Sequence, residues 1–227
     1  MHDVRFAWPR QPPLLAIDQL HVNAGELLMI HGPSGSGKTT LLSLMAGVLT
    51  PQQGQVTVSG IAINNLSAAA RDRFRGEHIG VVFQQFNLLP YLSVLQNVML
   101  PAELFDQRAQ RVLSGCTTIE EGAQRVLSEL DLQAALWHQP AHTLSVGQQQ
   151  RVAVARALLG SPELIIADEP TSALDEDRQH EFMQMLMRQV KATHAACVMV
   201  THQRSLGAMA DRVVDLSSMN QQMRVTA

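Results

Sequence analysis

Paired glycines followed by a lysine and two threonines make up the stretch Gly32-Pro33-Ser34-Gly35-Ser36-Gly37-Lys38-Thr39-Thr40, which matches the pattern G-x-x-x-x-G-K-[ST]. It follows the apolar run Leu27-Leu28-Met29-Ile30 and precedes Leu41-Leu42-Ser43-Leu44-Met45-Ala46, so the spacing predicts strand, glycine loop and helix in succession. Glycines let backbone N–H groups curl into a nest around phosphate oxygens, and a helix beginning near Lys38 adds its positive end. Lys38 is placed to reach the β- and γ-phosphates, and the Thr39 hydroxyl, a small neutral oxygen, suits the Mg2+ ion that bridges them. The chemistry these residues predict is binding of ATP or GTP.

A second group of residues could act on a bound phosphate. Four apolar residues, Leu164-Ile165-Ile166-Ala167, run into the adjacent carboxylates Asp168 and Glu169. Strand alternation points the two side chains in different directions, which allows Asp168 to bind Mg2+ through water while Glu169 acts as general base. Gln84 follows the apolar run 79–83 and His202 follows 198–200; ligands of an open α/β sheet collect at the carboxyl ends of its strands, which places Gln84 to meet the metal or the attacking water and His202 to sense a γ-phosphate. Ser145, Gly147 and Gln148 stand before a helix-like run, where a helix N-terminus offers N–H groups and a hydroxyl to an anion, although Ser145 is equally suited to be an N-cap. Asp175 closes a turn before a helix expected over 178–191. Upstream, Trp8 beside a proline turn is a candidate to stack on a purine ring, whereas Phe6 is expected in the core.

The elements that must position these residues follow from pattern. Residues 3–22 read as two antiparallel strands, 50–54 as a turn and 55–60 as a strand, with Arg71, Arg73 and Arg75 on the solvated face of a short helix. From 86 to about 144 strand runs give way to helices expected over 93–105 and 119–130, with 108–118 as a polar loop or frayed helix end; a further helix spans 149–159, strands follow at 164–167, 198–200 and 212–216, and a loose tail follows residue 217. The chain has 227 residues, enough for one large α/β domain with an insertion. A net charge of -3 and 16% charged residues argue against a nucleic-acid-coating protein. Cys116 and Cys197 are expected as reduced thiols, in keeping with a cytosolic compartment, and no apolar run reaches the roughly 18 residues of a membrane span. The start of the chain carries no signal-peptide core.

Taken together the motifs resemble the ATP-binding-cassette ATPases. In that family's terms residues 32–39 look like Walker A, 164–169 like Walker B with its catalytic glutamate, Gln84 like the Q-loop, 144–148 like the signature, Asp175 like the D-loop and His202 like the switch histidine. The resemblance implies an α/β fold with a P-loop NTPase core, an N-terminal antiparallel β subdomain and an inserted α-helical subdomain: a single domain over 1–227, with the core in 1–85 and 158–227 and the helical part in 86–157. It further implies ATP and Mg2+ as ligands, ATP hydrolysis, and a second copy of the chain bound head to tail, with Ser145 and Gly147 of one copy on the γ-phosphate held by the other. A groove along Phe86-Asn87-Leu88-Leu89-Pro90 is expected to receive a short helix of an integral membrane permease on the cytoplasmic face of the inner membrane. The phrase Phe86 to Val98 and the run Gly147-Gln148-Gln149-Gln150-Arg151-Val152-Ala153 look most like the subfamily of lipoprotein release and macrolide efflux. The alternative is a regulatory or mechanical ATPase, as in the cell-division relatives. One departure stands out: the family's Leu-Ser-Gly-Gly-Gln has Val146 at its centre, a residue unfavourable at positive φ, so that backbone position is expected not to need it.

Overall fold

Leu27–His31 is five buried residues in a row, and the first four of Leu164–Asp168 are buried as well. Runs with no exposed side belong in a sheet covered on both faces. The computed structural model, which describes residues 1–172 and 174–220, places both in a five-stranded parallel sheet. In chain order the elements are β1 (His2–Ala7), β2 (Pro13–Gln19), β3 (Leu27–His31), α1 (Lys38–Met45), β4 (Gln53–Gln55), β5 (Thr57–Val58), β6 (Ile61–Ala62), α2 (Ala68–His78), β7 (Ile79–Val82), α3 (Val94–Leu104), α4 (Asp106–Leu113), α5 (Ile119–Glu129), α6 (Val146–Leu158), β8 (Leu164–Asp168), α7 (Glu176–Thr193), β9 (Ala196–Thr201), β10 (Arg212–Asp215) and the short α8 (Leu216–Met219). The parallel sheet runs β10-β3-β9-β8-β7, so β3 and β8, which lead into the glycine loop and the paired carboxylates, flank β9, which leads into His202.

Strand alternation splits the interior in two. Leu27, Met29, Ile165, Ala167, Cys197 and Met199 point to a core shared with α3, α5, α6 and α7. Leu28, Ile30, Leu164, Ile166, Val198 and Val200 point to a second core with Val4, Phe6, Leu15 and Ile17 of the three-stranded antiparallel sheet β2-β1-β4 and with α1. Each such side chain contributes about 1.5–3 kcal/mol by leaving water, so the sheet is pinned from both faces at every site-bearing strand. The α/β fold expected from the sequence, with its antiparallel N-terminal strands and its helices between β7 and β8, is therefore present. Ser93 starts α3 with a capping box in which its side chain accepts from Gln96 N and the Gln96 side chain accepts from Ser93 N.

Four local expectations need correction. The stretch 108–118, read as a loop or a frayed helix end, holds the greater part of a full helix, α4, and its Arg108 is 1% exposed and bonded to backbone carbonyls. The strand expected over 55–60 begins at Gln53, where β4 pairs with β1, and breaks before the small β5–β6 hairpin. Arg71 is half-buried rather than solvated, and its guanidinium donates to Gly47 O and Leu66 O at 2.9 and 3.0 Å. Leu216 begins α8 instead of ending β10, and Asn220 is buried, accepting from Ala16 N and donating to Leu14 O; the remainder of the expected loose tail, 221–227, lies outside the described residues, as does position 173.

Candidate functional site

The loop 32–37 connects β3 to α1. Gly37, at φ 94, is the residue before the first helical turn, in a left-handed conformation that a side chain resists. At Gly32 a Cβ would stand 2.6 Å from Ser36 Oγ, so only a bare backbone fits under the loop. Lys38 opens α1 with its Nζ folded back onto Gly32 O and Pro33 O at 2.9 and 3.0 Å. Ser36 Oγ is buried with no hydrogen-bond partner. An unpaired buried hydroxyl, a backbone crowded at Gly32 and a lysine ammonium folded onto loop carbonyls together suit a phosphate, which would supply acceptors to the hydroxyl, the loop N–H groups and the ammonium.

The carboxylates arrive from β8. Burial pushes the Asp168 carboxyl above its ordinary range; a hydrogen bond with Thr39 works against that, the Glu169 charge adds to it, and Lys38 opposes it. A partly desolvated carboxylate beside a hydroxyl is an oxygen donor set of the kind a hard divalent cation takes, with the remaining positions left to water and phosphate. Glu169 sits at φ 44, a conformation that costs free energy for any residue with a Cβ. Its N–H donates to Val200 O at 3.0 Å, its Oε2 lies 3.2 Å from His202 Nδ1, and its Oε1 lies 3.9 Å from Lys38 Nζ. Alternation predicts diverging carboxylates; in the structure a backbone twist at the end of the strand turns Glu169 toward β9.

Lys38, Thr39, Asp168, Glu169 and His202 thus form one cluster, and Gly32 to Gly37 form its rim. The remaining sequence candidates stand outside these contacts. Gln84 is exposed after β7, in the turn that begins at Phe83, and among the described residues no hydrogen bond joins it to the cluster. Thr40 lies within the first turn of α1. Ser145 caps α6, accepting from Gln148 N at 3.4 Å, while Ser145 N donates to Gln148 Oε1 at 2.9 Å. Gly147 has open space where a Cβ would be, so the start of α6 is accessible. Val146 is its first helical residue and is not among those with positive φ, in line with the expectation for the altered signature. Asp175 caps α7, accepting from Arg178 N at 3.0 Å. The Trp8 ring meets Phe6 edge-on at 5.2 Å and keeps 39% of its surface exposed, while Phe6 is buried.

Two contacts escape sequence reasoning. Gln150 of α6, 2% exposed, donates to Pro170 O at 2.7 Å and so ties the helix that starts at Ser145 to the residue after Glu169. Arg156 of the same helix donates to Phe86 O and Asn87 O beside Gln84. A polar side chain on the apolar face of a helix is the only sequence signal for Gln150, and Arg156 gives none. Along α3 and β7 runs an apolar cavity of about 460 Å3 lined by Val48, Phe83, Leu100, Leu104 and Phe105, with Thr39 and Asp168 also on its wall.

Comparison with known proteins agrees with this geometry. The family model for ABC transporters matches residues 15–172. An ABC transporter ATP-binding protein of Mycobacterium tuberculosis, itself uncharacterized, is 41% identical over 200 residues that cover 87% of this chain and 57% of that protein, so the chain spans little more than half its length. The lipoprotein-releasing system ATP-binding protein LolD of Nitrobacter hamburgensis is 38% identical over 221 residues, 96% of this chain and 92% of that one. Among solved structures, the dimeric post-hydrolysis state of the ATP-binding cassette MJ0796 bound to ADP and Pi superposes with a TM-score of 0.80 at 33% identity, covering 94% of this chain and 92% of that one. The phosphate-type loop, the twisted carboxylate pair and these matches together show that the chain belongs to the ABC transporter family, with the fold of its ATP-binding cassette.

Proposed function

We propose that this chain binds ATP and hydrolyses it between two copies arranged head to tail, and that it powers an integral membrane permease from the cytoplasmic face of the inner membrane. The observation that carries the reading is the convergence of Lys38, Thr39, Asp168, Glu169 and His202 from three neighbouring strands. Lys38 exchanges the Gly32 and Pro33 carbonyls for β- and γ-phosphate oxygens, while the loop N–H groups and Ser36 Oγ donate to the same oxygens. Thr39 and Asp168 would hold Mg2+, which would supply charge neutralisation at the phosphates. Glu169 takes a proton from the attacking water onto a carboxylate oxygen, and His202, paired to Oε2, holds that carboxylate in place. Gln84 orients the water from the end of β7, Asp175 lies near the interface of the two copies, and Trp8 covers the purine.

The second copy completes the site with its exposed start of α6, where Ser145, Gly147 and Gln148 present a hydroxyl and helix N–H groups to the γ-phosphate. Loss of that phosphate removes charge-assisted hydrogen bonds across the interface, so nucleotide state sets the balance of open and closed dimer. Of the stretch 86–90 expected to line a groove, only Asn87 lines the apolar cavity and Phe86 is buried; the short permease helix is instead assigned to that cavity, beside Phe83 and Leu104. Likeness to the lipoprotein-releasing ATP-binding protein supports a partner of that kind.

Size-exclusion chromatography of Glu169→Gln, with and without Mg2+ and ATP, tests the reading. Removing the base is expected to lower phosphate release by about 100-fold or more while leaving ATP bound, and the variant should run as a dimer only with ATP. A variant that binds ATP tightly yet stays monomeric would overturn the self-completing, head-to-tail arrangement.

A further inference from the structure

Two successive residues with side chains, Phe86 at φ 58 and Asn87 at φ 49, hold left-handed backbone in the turn that follows Gln84. Phe86 resists that conformation sterically and Asn87 tolerates it better; Phe86 N on Phe83 O and Asn87 N on Gln85 O close the turn from within, and a further grip comes from outside it. Phe86 is anchored by a buried ring, but Asn87 is exposed. The external grip comes from Arg156, whose Nη2 donates to Phe86 O at 2.6 Å and whose Nη1 donates to Asn87 O at 2.7 Å, across 70 and 69 residues of chain. This is a planar fork closing on two consecutive carbonyls, a geometry that a lysine ammonium lacks. Burial lowers the Arg156 pKa, and its bonds are to carbonyls rather than to a carboxylate, so the guanidinium's charge is spent on this turn.

The other end of the linkage lies on the same helix. Ser145 caps the unbroken α6 that carries Arg156, and the two stand about 16 Å apart at the usual helical rise. The helix is held independently by buried Val152, Ala153, Val154 and Ala155 and by Gln150 on Pro170 O, so its fold does not depend on Arg156. Arg156 and Asn87 also line the apolar cavity, which brings the fork within reach of whatever seats there.

We propose that Arg156 is a positioning residue for ATP hydrolysis, its guanidinium fork holding the 84–87 turn in its left-handed form and coupling movement of α6 to Gln84. This rests on the reading that the chain hydrolyses ATP. The residue acts through the turn and touches no reacting atom.

The test compares Arg156→Met, Arg156→Lys and each of them combined with Asn87→Gly, in the full chain, with Asn87→Gly alone as reference. ATP affinity, kcat, KM and thermal melting are measured for all. Arg156→Met is expected to lower kcat about tenfold with ATP affinity and KM within twofold of wild type, as fits the loss of two hydrogen bonds to a charged group at a step after binding. Arg156→Lys should recover only part of that loss. Glycine accepts positive φ without strain, so Asn87→Gly should restore at least half of the lost kcat when added to Arg156→Met. Unchanged kcat in Arg156→Met, equal losses in affinity and kcat, or no recovery on adding Asn87→Gly would each overturn the proposal. Should Arg156→Met fail to fold, the Arg156→Lys pair carries the same comparison. A wild-type chain that releases no phosphate would instead overturn the ATPase reading on which this rests.

Discussion

Glu169 and Asp168 are neighbours in sequence yet make different contacts, and the physical cause is a single backbone twist. A positive φ at Glu169 aims its carboxylate at His202, while Asp168 stays in line with β8 and meets Thr39. Strain of this kind persists only where the surroundings enforce it, and the Glu169 N–H bond to Val200 O does so here. Charge at single residues also sets stability. Asp211 accepts from Leu27 N at 2.8 Å and from Lys191 Nζ at 2.7 Å, and these bonds hold its carboxyl below the ordinary value of 3.8. A carboxyl whose folded pKa is depressed contributes stability that is present above pH 3.8 and is lost as the pH falls through its folded value. Asp211→Ala should therefore melt at a lower temperature than wild type at neutral pH, and the gap should narrow as scanning calorimetry is repeated below about pH 4.

Among the elements, α4 shows how a helix can be fixed by one side chain. Arg108 sends Nε to Gly76 O, Nη1 to Ala157 O and Leu159 O, and Nη2 to Ile79 O. Those carbonyls stand at the C-terminal ends of α2 and α6, where the helix dipoles favour a cation. Burial, with the neighbouring Arg111 charge adding to it, brings the Arg108 pKa down to about 10, which still leaves the guanidinium charged near neutrality. Arg108→Ala would leave four carbonyls without their donor, and urea unfolding should show a loss of roughly 3 kcal/mol, given the cost of breaking buried hydrogen bonds to a charged group. The same element explains a failure of pattern reading. An arginine on the buried side of α4 interrupts the apolar period, so the stretch reads as a polar loop or frayed helix end although its first half is regular helix. By contrast α3 and α5 carry Ser93 and Thr118 as caps and apolar residues at helical spacing, and both were legible.

At the scale of the whole molecule, the cluster around Lys38 and Glu169 and the apolar cavity share a wall, since Thr39 and Asp168 reach the space lined by Phe83 and Leu104. No helix among the described residues is long and apolar enough to cross a membrane. For the proposed permease partner, the cavity offers exposed Leu104, at 70% of its free area, together with Val48 and Phe83. Leu104→Asp should abolish co-purification with a permease from detergent-solubilised membranes, because a carboxylate would be desolvated on docking, while thermal melting of the chain stays within a few degrees of wild type, as for most exposed substitutions.

The sequence by itself determined the chemistry that is local in the chain. The glycine loop, its lysine and threonine, the paired carboxylates after a strand and the capped start of α6 each lie within a few residues, where backbone geometry and spacing are enough to specify what they can bind. Only the tertiary structure decided which of these meet. His202 reaches Glu169 across 33 residues because β8 and β9 are neighbours in the sheet, and Arg156 reaches Phe86 across 70 because α6 packs beside the end of β7. Periodicity reports which side of an element is dry but carries no record of strand order, so long-range pairs, the buried Arg108 and the twist at Glu169 emerge only when the two cores close on the sheet.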